Sequence, residues 1–350
     1  MSYEPDLAFL ERLLLATGPT GFEEEAVEVF LEQAKAFAEV EVDRKGNAYA
    51  HLNPGGSPKI ALLGHIDEIG VIVTHIDENG FLFLKPLGGW DPQVLVGQRL
   101  RFLGRRGAVL GVVGRKAIHV LKPEEREKAA RLEELFVDIG AQSKEEALAH
   151  LEVGAVGVLD QPPLWLLGNR LVSKALDNRI GAFVVLEALR LLKDLGTRAH
   201  VVAVASVQEE IGAYGAKAAA HRLNPDCALV VDVTQDASTP GMEKKEVGEA
   251  ALGRGVALDV GPFVDKGVLR TLRALAEREG IPYVLHAHGR FSGTDADEVA
   301  WVREGVRTGI VSIPNRYMHS PSEMVDMRDV QAAVRLLAGF AQAASQGEIG

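Results

Sequence analysis

Residues 199–215 read AHVVAVASVQEEIGAYG, and the rest of the chain is organised around them. Residues 200–207 are apolar and valine-rich over the length of a strand, which predicts a buried strand. The run stops at Gln208-Glu209-Glu210, and a Gly/Ala-rich helical segment follows. Two adjacent carboxylates at the carboxyl end of a buried strand cost desolvation energy unless something cationic meets them. Successive side chains of an extended chain point to opposite sides. One of the pair can then bind a metal while its neighbour faces a substrate as acid or base. A solvated glutamate pair is the simpler reading of these two residues alone; the surrounding sequence decides against it.

Beyond residue 169 apolar strands alternate with helical periodicity. The pattern predicts helix 177–194, strand 199–207, helix 212–222, strand 227–233, helix 265–279 and strand 282–287. Helix 295–304, strand 309–313 and a terminal helix 327–345 complete it. This alternation implies an α/β fold with a central sheet covered by helices on both faces. In such folds ligands gather at the carboxyl ends of strands. Toward the N-terminus, helices 5–16 and 22–37 flank the turn Gly18-Pro19-Thr20-Gly21. Strands at 39–42, 48–52 and 59–63 follow, and the last delivers Gly64-His65-Ile66-Asp67-Glu68.

Between residues 70 and 168 the texture changes. Short alternating runs at 71–76, 81–84, 99–103 and 109–113 are separated by glycine-bearing turns, among them Glu78-Asn79-Gly80. Helical pieces near 123–132 and 144–151 interrupt them, the second with Ser143 and Glu146 spaced as a capping box. The chain therefore divides into a discontinuous domain, 1–69 with 169–350, and an inserted β-rich domain, 70–168.

Hard or imidazole ligands at the predicted strand ends form a short set. His65 and Asp67 follow the third strand. Asp177, in SKALDNR, opens a helix. Glu209 and Glu210 follow the central strand, Asp232 ends LVVD, and His319 lies in NRYMHSP just beyond strand 309–313. Five elements thus bring an acid or imidazole to one edge of one sheet. Carboxylate and imidazole without thiolate suit zinc, cobalt or manganese. His75-Ile76-Asp77-Glu78 echoes His65-Ile66-Asp67-Glu68 but runs into the Asn79-Gly80 turn of the inserted domain, so its role is structural. His286 and His288 in LHAHG alternate as ligands do; a strand end beside solvent is the favoured reading there. No GxGxxG or P-loop is present, and Gly289-Arg290-Phe291-Ser292-Gly293 lacks the spacing of a nucleophile elbow.

The formal charge of −11 over 350 residues argues against nucleic acid or anionic membrane as partners, since both want a basic surface. No apolar run reaches spanning length, and the N-terminal stretch lacks a basic region ahead of its apolar part. A cytoplasmic protein is the expectation. A single cysteine, Cys227, excludes an internal disulfide and reads as a buried packing residue.

These motifs together resemble the co-catalytic metallo-aminopeptidases of the tetrahedral (TET) type, also labelled glutamyl aminopeptidases or endoglucanases. The resemblance spans nearly the whole chain and is carried in order by GPTGFEE, GHIDEIG, SKALDNRIG, VQEEIGAYGA, VVDVT, SGTDA and SIPNRYMHSP. It implies a zinc-peptidase-like sheet with an inserted PDZ-like barrel used in oligomerisation. It further implies two divalent ions per subunit, zinc or cobalt with manganese as the alternative. Asp177 would bridge them, His65 and Asp232 would complete one shell, and Glu210 and His319 the other. Glu209 would be the general base and Asp67 would orient His65. Short peptides are the implied substrates, and the implied assembly is a homo-oligomer, a dodecamer. The stretch GRFSGTDA departs from the more usual glycine run before TDA, and Arg290 within it reads either as a surface arginine or as a bias toward acidic side chains. A deacylase or dipeptidase of small N-acylated substrates is the rival on the same fold. A glycosidase or a non-catalytic assembly protein accounts for the ligand set less well.

Overall fold

The structure, a computed structural model, describes residues 3–348. In chain order its strands are β1 (Glu39–Val42), β2 (Ala48–Leu52), β3 (Lys59–His65), β4 (Gly70–Ile76), β5 (Leu82–Leu87), β6 (Arg99–Gly104), β7 (Gly107–Gly114), β8 (Phe136–Asp138), β9 (Val156–Leu159), β10 (Leu164–Trp165), β11 (Arg170–Ser173), β12 (His200–Ser206), β13 (Cys227–Gln235), β14 (Val256–Val260), β15 (Tyr283–Ala287), β16 (Arg307–Asn315) and β17 (Glu323–Asp326). The main sheet has the order β1-β2-β12-β3-β13-β16-β14-β15. Strands β12, β3, β13 and β16 run parallel to one another. Their carboxyl ends therefore share one edge, and the turns leaving them meet there.

Both faces of this sheet are buried, which is why β12 reads as one apolar run rather than as an alternation. Val201, Ala203 and Ala205 point into a core shared with helices Leu7–Leu15, Leu176–Leu195 and Met327–Ser345. Val202 and Val204 point the other way, into a core closed by helices Tyr214–Leu223 and Ala296–Val299. Burial of one such valine or leucine stabilises the fold by about 1.5–3 kcal/mol. The Leu176–Leu195 helix is covered on nearly every side, so its register, and with it the position of Asp177, is fixed by packing. Gly215 starts the Tyr214–Leu223 helix against β12's exit: a Cβ there would sit 2.1 Å from the Val207 carbonyl oxygen.

The inserted segment closes as an antiparallel barrel, β4-β5-β8-β7-β6-β9. Val71, Val73, Leu82, Leu100, Phe102 and Val137 fill its interior. Strands β8 and β9, which complete the barrel, are additions to the four runs read from sequence. The segment around 123–132 is α-helical only over Pro123–Arg126, with a short 3-10 turn at Leu132–Glu134. It offers the core little more than Ala130 and Leu132, too little for a longer helix to be held by packing. The capping box at residue 143 is shifted. Ser143 Oγ accepts the Glu146 N–H at 3.2 Å, but the Glu146 carboxylate takes the N–H of Gln142, not that of Ser143.

Strands β10, β11 and β17 form a separate three-stranded sheet, and β17 carries Glu323. Helix 295–304 is shorter than its sequence pattern, spanning only Ala296–Val299. Cys227 is buried, and burial pushes its thiol up to about 12. Among the described residues no helix is long and apolar enough to cross a membrane.

Candidate metal centre

The shared edge of the four parallel strands brings together His65, Asp67, Asp177, Glu209, Glu210, Asp232 and His319. His65 is the last residue of β3, and Asp232 lies near the end of β13. Glu209 and Glu210 open the turn that leaves β12, where the N–H groups of Gly212 and Ala213 close onto the Glu209 carbonyl at 2.8 and 3.0 Å. His319 lies in the loop between β16 and β17. Asp177 sits at the start of the Leu176–Leu195 helix with non-helical backbone angles, φ −78° and ψ 105°.

Asp177 is the centre of the geometry. Its Oδ1 is 3.2 Å from His65 Nε2, and its Oδ2 is 3.3 Å from His319 Nε2. Asp232 Oδ1 and Glu209 Oε2 stand 3.9 and 3.7 Å from the same His65 nitrogen. Glu210 Oε1 stands 3.4 Å from His319 Nε2. One carboxylate thus faces two imidazoles with its two oxygens, and each imidazole has a further acid beside it. The two glutamates do serve different neighbours, but through the turn rather than through strand alternation. Asp67 sets that turn: fully buried, it accepts the N–H of Glu209 on Oδ1 at 3.1 Å and that of Glu210 on Oδ2 at 3.2 Å. It also faces His65 Nδ1 at 3.4 Å.

Burial and mutual charge act strongly on every member of the cluster. Burial pushes the Glu209 carboxyl up to about 10, with His65 opposing and Asp232 adding to the rise. Burial likewise raises Glu210 and lifts Asp232 well above the usual carboxylate range. The imidazoles move the other way from what burial demands. Burial would lower His319, but Asp177 and Glu210 lift it to about 11. Burial would lower His65, and Glu209, Asp177 and Asp67 lift it well above its ordinary value. Asp177 is held low against its burial by hydrogen bonds to His319 and His65. Two buried atoms, His65 Nδ1 and Glu210 Oε1, have no hydrogen-bond partner. Ligand atoms of His65, Asp177 and Glu210 lie within 4.8 Å of one another. Nitrogen and oxygen donors with unmet charge and unmet hydrogen bonds fit divalent cations.

Three features of the centre escaped the sequence. Glu323, buried on β17, accepts the N–H of Asp177 on Oε2 and the N–H of His319 on Oε1, both at 2.8 Å. Asp295, in SGTDA, is buried and takes the Ser206 hydroxyl, with its Oδ1 unpartnered. Its presence in that motif was the available signal; Glu323 had none. The third is the barrel's Gly88-Gly89 turn. A Cβ on Gly88 would lie 3.3 Å from Glu210 Oε2 and one on Gly89 3.3 Å from His319 Nδ1. The inserted barrel contributes none of these acids or imidazoles, but its turn walls the site.

The centre opens into a cleft of about 480 Å³ lined by Glu209, Phe291 and Met318 among others. Phe291 is exposed at the lip, and the Arg290 guanidinium lies over its ring, 4.8 Å from the centroid. A second cleft, about 800 Å³ between Trp90–Gln98 and Tyr317–Ser322, meets the first at Met318 and His319. His75 stays on the barrel surface, and the Asp77 carboxylate accepts the N–H groups of Asn79 and Phe81 at 2.9 Å, capping the hairpin turn.

Comparison with known proteins bears on this geometry. The model of the M42 glutamyl aminopeptidase family matches residues 46–336. The chain belongs to the M42 glutamyl aminopeptidase family. This M42 chain is 35% identical over 336 residues to lysyl aminopeptidase of Pyrococcus furiosus, covering 95% of each chain. Its fold is similar to that of a TET aminopeptidase from a marine-sediment Thaumarchaeota archaeon, with TM-score 0.92, 34% identity and 98% of each chain covered. It is also similar to the Pyrococcus horikoshii TET1 peptidase, with TM-score 0.84, 28% identity and 96% and 98% covered; that protein can assemble into a tetrahedron or a large octahedral shell. The M42 chain is accordingly a peptidase, a hydrolase of the aminopeptidase class.

Proposed function

We propose that the chain is a dinuclear metallo-aminopeptidase that removes N-terminal residues from short peptides. The observation that carries this is the placement of Asp177, whose two oxygens face His65 and His319 at nearly equal distance. His65 and Asp232 would hold one ion, His319 and Glu210 the other, and Asp177 would bridge them. Zinc or cobalt suits this donor set, with manganese as the alternative. Two such ions would supply Lewis acidity for a peptide carbonyl and would lower the pKa of a water.

The chain's own groups do the rest. Glu209 leans on the His65 side without being needed as a ligand, so its carboxylate is available to take a proton from water and hand it to the leaving amine. Asp67 aims both glutamates by gripping their backbone N–H groups. Glu323 holds Asp177 and His319 in the same way.

Self-assembly into a closed shell, a dodecamer, is part of the same proposal, as is action in the cytoplasm. The barrel exposes Leu103, Leu110 and Val112, and Leu164–Leu167 form an exposed apolar run. Exposed apolar clusters of this kind mark contact surfaces. Residues 70–168 would then act as the assembly domain of a catalytic unit formed by 1–69 and 169–350.

The test is Glu209→Gln with a panel of aminoacyl-chromophore substrates. Both ions should stay, and turnover should fall at least ~10²-fold, the usual scale for a positioned proton carrier. Undiminished turnover in strong chelator, or cleavage of N-acylated substrates in preference to free amines, would overturn the assignment. Light scattering on metal-loaded protein checks the shell; a stable mass of one or two chains contradicts it.

A further inference from the structure

The pair His286 and His288 does not end beside solvent alone. His286 lies in edge strand β15 and His288 one residue past its end, where its N–H still bonds the Val260 carbonyl at 2.8 Å, so with a spacing of two they project from one face. The paired register of β14 and β15 sets Asp259 directly opposite His286. The Asp259 side chain is only 2% exposed. His288 Nε2 is 2.9 Å from Asp259 Oδ2, and His286 Nδ1 is 3.8 Å from Asp259 Oδ1. The two rings are 4.3 Å apart between centroids. One ligand atom from each of the three side chains lies within 4.8 Å of the others.

We infer that Asp259, His286 and His288 form a further divalent-cation site, separate from the Asp177 centre, that takes zinc or cobalt. Charge is the first argument. A buried carboxylate needs a cation, yet its other close partner is the neutral Ser312 hydroxyl at 3.2 Å. Two imidazoles in ring contact cannot both carry a proton cheaply, whereas one divalent ion on two neutral imidazoles and a carboxylate satisfies all three. Geometry is the second. Donors around a tetrahedral zinc at ~2.0–2.1 Å stand roughly 3.3 Å apart, so distances of 2.9 and 3.8 Å need only small side-chain adjustments. Three protein ligands leave one position open, and side-chain exposures of 18% and 14% for His286 and His288 let water reach it. Imidazole donors exclude magnesium and calcium.

The site would tie the edge strand β15 to β14. The ion would take the place of the Thr234 hydroxyl, whose Oγ1 is 3.3 Å from His286 Nδ1. Its role is structural: it clamps the strand end that leads into the cleft loop carrying Phe291.

The test strips full-length protein with chelator, reloads it with zinc, removes free metal by gel filtration and counts zinc per chain by mass spectrometry. Wild type should hold one more zinc per chain than the His286→Asn/His288→Asn double variant, whatever the count at the Asp177 centre. Equal counts overturn the site. Should the double variant fail to fold, a zinc-edge anomalous map of wild-type crystals decides without it. A peak within bonding distance of Asp259, His286 and His288 supports the site, and zinc peaks only at Asp177 refute it.

Discussion

With Asp177 and His319 as the proposed ligands, Glu323 should control metal affinity through the two backbone N–H groups it holds. Its two oxygens each accept one backbone N–H, from His319 and from Asp177, at 2.8 Å. Glu323→Gln keeps the shape but turns one acceptor into an NH₂ group that confronts a backbone donor. Leaving one buried donor unsatisfied costs about 1–3 kcal/mol. That cost falls on the positions of Asp177 and His319, so metal should bind about 5- to 150-fold more weakly, the scale on which partners of metal ligands usually act. The assay is zinc competition against a chromogenic chelator, run beside kcat and KM at saturating metal. Affinity should fall while kcat at saturation largely recovers and KM stays put. Burial, then Asp177, already push the Glu323 carboxyl well above its ordinary range. In chelator the glutamine therefore resembles the protonated acid, and the variant should melt no lower than wild type. Zinc affinity within about twofold of wild type would exclude this role for Glu323, as would a melting point lowered equally with and without metal.

Two more predictions use local geometry. Gly88→Ala meets Ile69 Cγ2 at 2.6 Å and Glu210 at 3.3 Å with φ at +81°, whereas Gly97→Ala has the same φ with nothing within 4 Å. Both should lose about 1 kcal/mol to backbone strain, but only Gly88→Ala should add about 1–3 kcal/mol of overpacking and lower turnover; equal kinetics for the two variants would show that the barrel turn does not press on the site. Glu23, which accepts the N–H of Gly21 and of Gln208, is pushed by burial and then by Asp67 up to about 7 from an ordinary 4.5. A carboxyl raised in the folded state contributes stability that is full below 4.5 and is lost as pH rises through 7, about 3 kcal/mol in all. Urea unfolding of Glu23→Gln should therefore gain on wild type by that order between pH 4.5 and 8, and parallel pH curves would contradict it.

What the sequence disclosed and what it hid have physical reasons. The acids at strand ends stood out because Asp232 and Glu209-Glu210 interrupt or end runs that are otherwise wholly apolar. The continuous β12 run signalled a strand buried on both faces, and the sheet bears that out. Glu323, by contrast, acts by accepting backbone N–H groups of residues 146 and 4 positions away, and no side-chain spacing encodes that. Strand β14, VALDV, is short and lies between stretches of turn and helix, so periodicity passed over it. With β14 unread, Asp259 had no strand to stand on, and His286 and His288 lacked their third partner. Strands β11 and β17 pair across some 150 residues of chain, a contact that local pattern cannot show. Nothing local marks the Gly88-Gly89 turn, because its neighbours, Glu210 and His319, come from the other domain.

The central claim is that Asp177 is shared between two ions. Crystals of protein loaded with zinc, measured on both sides of the zinc absorption edge, test it most directly. Two anomalous peaks about 3.5–4 Å apart are expected, one between Asp177 Oδ1 and His65 and one between Asp177 Oδ2 and His319. A single peak at the centre, or two that do not share the Asp177 carboxylate, would contradict it.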